Sequence, residues 1–121
     1  ADGLLTLKAG MSAEVWRNTV VVIATEFGRT AAANGNGGTD HGTAGTTLLY
    51  GGSVKGGRVL ADWPGLAPNQ LFEGRDLRPT LDTRQVLKGV LAAQFDIDRR
   101  VLDSQVFPES QSLGYLQGLL A

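Results

Sequence analysis

The residues best equipped for chemistry fall between Thr25 and Gly42. Thr25-Glu26-Phe27-Gly28-Arg29-Thr30 follows an apolar run, and Asp40-His41-Gly42 closes the polar stretch after it. Glu26 offers a hard anionic oxygen of the kind that divalent cations take. Arg29 carries a planar guanidinium fork that can hold phosphate or sulfate oxygens, and Gly28 permits a tight backbone path between the two. The same two charges also read as an ion pair on a loop surface. His41, the single histidine, can act as a metal ligand or as a structural or solvated ring. Asp40 beside it can ligate directly or orient the imidazole.

These residues depend on the elements around them. Thr19-Val20-Val21-Val22-Ile23-Ala24-Thr25 is a continuous run rich in β-branched residues, which predicts a strand buried on both faces. Open α/β sheets bind their ligands just beyond the carboxyl ends of such strands. Glu26 to Thr46 reads as a polar loop with turns at Asn34-Gly35 and Asn36-Gly37. Loops of that length are uncommon in compact domains unless they have a task. Thr46 to Tyr50 reads as a second strand. If the two strands are neighbours, the loop doubles back and can bring Glu26 and His41 to one rim.

Upstream, Leu4, Leu7 and Met11, with Leu5 beside them, predict a helical stripe, and Ser12 to Asn18 a short polar connector carrying Val15 and Trp16. Downstream, Ser53 to Leu60 predicts a hairpin-like excursion around Gly56-Gly57. Gly51-Gly52-Ser53-Val54-Lys55-Gly56-Gly57 evokes a phosphate loop, but the Gly-Lys-Ser/Thr order and a following helix are absent. Trp63 to Pro79 reads as an irregular surface segment anchored by Trp63-Pro64, with Glu73-Gly74-Arg75-Asp76 as a solvated loop. Asp82, with Gln85 three residues on, predicts the cap of a helix whose apolar face is Val86, Leu87, Val90, Leu91 and Phe95. Asp98 to Ser104 predicts a further short helix. A loop and a leucine-bearing tail follow from Phe107.

Composition narrows the classes. With 121 residues the chain is at most one ordinary domain, and a hydrophobic share of 42% is enough for a core. Eleven Lys and Arg against 12 Asp and Glu leave a net charge of -1, so no basic stripe argues for nucleic acid or an anionic membrane. Cysteine is absent, which removes disulfides and thiolate metal sites. No apolar run approaches the roughly 18 residues of a membrane span. The start, Ala1-Asp2-Gly3-Leu4, has neither a basic leader nor an initiator Met and reads as an internal cut. Too few strands and helices are present to close a doubly covered parallel sheet, so the chain is expected to pair with another segment, most simply a preceding part of its own gene product.

A resemblance joins these pieces. Thr25-Glu26-Phe27-Gly28-Arg29-Thr30, Asn34, Gly38, Thr39-Asp40-His41-Gly42 and Gly51-Gly52-Ser53-Val54-Lys55-Gly56-Gly57 resemble, in order, the C-terminal half of the family called domain of unknown function 1501. The specific part runs from Val20 to Pro64. The family consists of bacterial proteins described as sulfatase-like, often with twin-arginine export signals, and is similar to the alkaline phosphatase superfamily. The resemblance implies an α/β fold: the C-terminal portion of a three-layer sandwich with a mainly parallel sheet, with residues 1–121 as a C-terminal fragment. It also implies a periplasmic or exported location and a phosphate or sulfate ester substrate. Glu26 and His41, with Asp40, take the places of ligands to a divalent metal (Zn, Mn, Mg or Ca). Arg29, Thr25 and Asn34 are the substrate-binding candidates. Phe27 stands where the superfamily usually has a histidine ligand, and the nucleophile belongs to the preceding half, so this chain alone is expected to be inactive. Two readings follow: the metal-site-completing part of a hydrolase, or a degenerate, non-catalytic binding or structural module, which Phe27 favours. A free-standing small module is the third, disfavoured by the shortage of strands.

Overall fold

A computed structural model describes residues 2–121. It is a mixed α/β structure. In chain order the elements are α1 (Asp2–Ala9), α2 (Ala13–Arg17), β1 (Val21–Ile23), β2 (Gly28–Arg29), β3 (His41–Gly42), β4 (Leu48–Tyr50), a 3-10 turn (Pro68–Gln70), α3 (Thr83–Phe95), α4 (Arg99–Val101) and a π turn (Leu102–Val106). Among the described residues the strands form two sheets of two strands each, β1 with β4 and β2 with β3. No described helix is long and apolar enough to cross a membrane. The residues divide into two compact units. One gathers the stretch up to Val22 with Leu49–Gly57 and Thr83–Ala121, and the other is Ile23–Leu48 with Arg58–Asp82.

The first unit is organised by α3. Val86 and Val90, one helical turn apart, project from one stripe and are 7% and 6% exposed. They pack with Leu119, and Val20, Val22, Leu49, Leu116 and Leu120 close around them. The expected apolar face of α3 is therefore present, except that Phe95 lies exposed at the helix end. The run from Thr19 to Thr25 was expected to be one strand buried on both faces. Only Val21–Ile23 is strand, and it is half-buried. A sheet of two short strands covers its residues incompletely, whatever their β propensity.

The C-terminal tail is part of the core. Leu116 N–H donates to the Gln85 carbonyl, and a Cβ built on Gly89 would sit 2.1 Å from the Leu116 carbonyl oxygen. Glycine at that helix position is what admits the crossing backbone. On its other side the tail meets residues 53–55: Lys55 N–H donates to Leu119 C=O, Ala121 N–H to Ser53 C=O, and Val54 bridges Leu120. This replaces the expected hairpin after Ser53. The glycine-rich chain pairs with a remote segment instead of with itself.

Lys88 lies between these layers with no exposed surface. Its ammonium donates to the Asp103 carboxylate and to the carbonyls of Ser110 (2.7 Å) and Leu113 (3.4 Å). Asp103 also accepts from Arg99 Nε at 3.3 Å. A buried ammonium without partners would be too costly to keep charged, so the tail must bring its carbonyls to this point. The Lys88 hydrogen bond, reinforced by its charge and by Arg99, holds the Asp103 carboxyl below its ordinary value of 3.8 against the opposing effect of burial.

The short helices are set by their caps. Ser12 Oγ accepts the Val15 N–H, so part of the expected connector is helix α2. Asp98 does the same for Arg100 at the start of α4, where a short helix was expected. Of the predicted apolar stripe, Leu4 and Met11 are half-buried and Leu7 is 39% exposed, while Leu5 beside it is 61% exposed, so the stripe is covered only in part.

Two outcomes test this unit. Leu119→Ala should lower unfolding free energy by about 2–5 kcal/mol in urea titration, because it opens a cavity against Val86 and Val90. Because the Asp103 pKa is depressed by folding, its contribution is complete above pH 3.8 and is lost as pH falls below that value through the folded pKa. Thermal melts should therefore show a stability loss in that acid range that is smaller in Asp103→Asn, a variant already less stable at neutral pH.

Candidate functional site

The second unit contains the Thr25–Gly42 segment. The expected structureless loop is in fact a hairpin. β2 and β3 pair antiparallel, with Gly28 opposite Gly42 and Arg29 opposite His41. A Cβ on Gly28 would fall 2.2 Å from the Ala44 carbonyl oxygen. Only glycine lets the strand approach this closely, and the adjacent Arg29 N–H then reaches Ala44 C=O at 3.1 Å.

Asn34 organises the hairpin's loop. Its Oδ1 accepts the N–H groups of Asn36 and Gly38, forming the side-chain turn that asparagine favours. Its own N–H donates to Gly38 C=O at 2.7 Å, and its Nδ2 donates to Asp40 Oδ1 at 2.9 Å. Thr30 clamps the loop's base: its Oγ1 accepts the Asp40 N–H, and its N–H donates to Asp40 C=O. Asn34 and Asp40 thus meet as loop-forming partners.

A second clamp comes from residues read as a solvated loop in the sequence. Asp76 is only 3% exposed and bridges both Thr30 and Phe72. Its Oδ2 accepts from Thr43 Oγ1 at 2.8 Å, and Arg75 Nε lies 2.9 Å from its Oδ1. That contact is an ion pair without hydrogen-bond alignment, since Oδ1 accepts no hydrogen bond. A turn with left-handed backbone at Glu73 and Gly74 folds this carboxylate inward. The mixed charges around Asp76 conceal that role, and only Gly74 hints at the turn.

An open cleft of about 390 Å³ is lined by Thr25, Phe27, Arg29, His41, Ala44, Gly45, Thr46 and Leu77. Phe27 and His41 stack in its wall, ring centroids 4.4 Å apart and planes 13° from parallel. Arg29 Nη1 donates to Thr39 C=O at 2.9 Å. Among the described residues no carboxylate pairs with Arg29, so the Glu26–Arg29 surface ion pair is not formed. Thr25 Oγ1 accepts the Phe27 N–H, which sets the bend leading out of β1.

Of the predicted site residues, Thr25, Arg29 and His41 share the cleft. Glu26, Asp40 and Asn34 do not line it. Glu26 is exposed, and Asp40 is bound to Asn34. Among the described residues no three His, Asp or Glu side chains are grouped to hold an ion, so Glu26, Asp40 and His41 are not gathered as one ligand set. The described residues therefore do not by themselves assemble the roughly three protein ligands that a catalytic metal takes.

The model of a family described as protein of unknown function (DUF1501) matches residues 1–106. The chain belongs to that family. No curated protein and no solved structure matches the chain. The DUF1501 match covers the hairpin, its Asp76 clamp and α3. It stops before Ser110, Leu113 and Leu119, which complete the core. For this DUF1501 chain, Gly28→Ala should destabilise the hairpin by about 1–3 kcal/mol through the clash with Ala44. Amide exchange should then speed up at Arg29 and Thr30; unchanged protection there would contradict the close approach.

Proposed function

We propose that this chain is the C-terminal part of a phosphatase- or sulfatase-like hydrolase of the alkaline phosphatase type. Its cleft would form one wall of the site for a phosphate or sulfate ester. The observation that carries this reading is the cross-strand pairing of Arg29 with His41, which sets an arginine without a carboxylate partner beside an imidazole on one cleft. Arg29 would hold the anion through charge-assisted hydrogen bonds. His41 would donate to a bound oxygen or exchange a proton with it. A preceding part of the same polypeptide would supply the nucleophile and the remaining strands of a three-layer, mainly parallel sheet. Export to the periplasm belongs to the same proposal.

The resemblance also implies a divalent metal, and here the donors do not fit it. Phe27 holds the position next to Glu26, and His41 stacks on Phe27. The same stack favours a second reading, in which the cleft binds an anion without turning it over.

The two readings separate in one set of measurements on the full polypeptide. Hydrolysis of phosphate and sulfate monoesters should be detectable and should fall at least about tenfold in Arg29→Gln and in His41→Ala. Elemental analysis beside the assay reports whether a metal is carried and whether His41→Ala loses it. Anion binding with no turnover of either ester class would sink the hydrolase reading and leave the binding module.

A further inference from the structure

The Phe27–His41 pair gives the cleft a property that an anion site does not need. Two rings lie face to face, and Phe27 keeps 50% of its surface exposed. The stack therefore leaves ring surface uncovered, in the same cleft as Arg29 and the apolar side chain of Leu77. An exposed phenyl ring held in place by a partner is a platform on which another flat ring gains contact at little ordering cost. The platform is held firmly. His41 sits in β3, paired to Arg29 in β2, and Phe27 immediately precedes β2. The Thr25 hydroxyl receives the Phe27 N–H, and Gly28 locks the adjoining backbone against Ala44.

Arg29 supplies the second half of the recognition. One of its guanidinium N–H groups is held by the Thr39 carbonyl, which orients the fork. The guanidinium has further donors, and among the described residues no carboxylate neutralises it. A cation with this orientation, beside a stacking surface, matches a ligand that has both a ring and a negative charge.

We propose that the cleft selects a flat-ringed anion, with the ring laid on the Phe27–His41 stack and the phosphate, sulfate or other oxyanion held by Arg29. This rests on the anion-binding part of the proposed function and adds the ring to it. It does not require turnover.

Calorimetric titration of the full polypeptide with phenylphosphonate, cyclohexylphosphonate and inorganic phosphate tests the inference, because none of the three is an ester that hydrolysis would consume. Phenylphosphonate should bind about tenfold more tightly than either of the others. Phe27→Leu, which keeps an apolar side chain but no ring, should erase that preference, and Phe27→Trp should preserve it. Arg29→Gln should weaken both phosphonates about tenfold or more. Melting curves of each variant identify any that fails to fold. Equal affinity for phenyl and cyclohexyl ligands, a preference that survives in folded Phe27→Leu, or no binding of phenylphosphonate would overturn the inference. Phenyl preference with no ester hydrolysis would sink only the hydrolase reading, whereas hydrolysis without ring preference would sink only the platform.

Discussion

A buried ammonium is the constraint on which the first unit depends. Lys88 has no exposed surface, and its Nζ is served by one carboxylate and two main-chain carbonyls. An ion in that position must be met on several sides, because the low-dielectric interior makes any missing partner expensive. Asp103 comes from the π turn, and Ser110 and Leu113 from the tail. The requirement of one side chain therefore fixes where two further stretches of backbone, the π turn and the tail, lie against α3. The apolar contacts of Leu116 and Leu119 with α3 are made by the same tail, so the polar clamp and the small core reinforce each other.

The second unit solves a similar problem without a buried base. Asp76 is its buried anion, and Thr43, Thr30 and Arg75 surround it. Asn34 and Asp40, which look in sequence like polar groups awaiting a ligand, spend their hydrogen bonds on shaping the loop. That leaves Thr25, Arg29 and the Phe27–His41 stack as the parts of the segment that line the cleft. The division is physically sensible. Residues that must hold a loop rigid are satisfied within it, and those left for recognition retain unused donors or ring surface.

Local signals were readable where a residue acts on its near neighbours. The valines of α3 at helical spacing, the short helix after Asp98 and the approximate positions of the two apolar strands all follow from short-range rules. Those rules failed where a remote partner decided the outcome. Ser53 to Leu60 carries hairpin signals, yet Val54 bridges Leu120. Glu73 to Asp76 looks solvated, yet Asp76 is buried by Thr30 and Thr43, far away in sequence. Lys88 falls inside an amphipathic helix where a lysine ordinarily faces water, and nothing within a few residues of it reveals Asp103, Ser110 or Leu113.

The sequence by itself determined the family, the helix α3 and the segment in which the chemistry-bearing residues sit, because these depend on residue type and short spacing. Only the tertiary structure decided which of those residues meet. Antiparallel pairing set Arg29 against His41, and the ring planes of His41 and Phe27 came within stacking distance. Asp40 went to Asn34, and Glu26 stayed outside the cleft. Side-chain convergence is a property of register and close approach, here of two glycines facing each other across a hairpin. No list of candidate ligands in chain order contains that information.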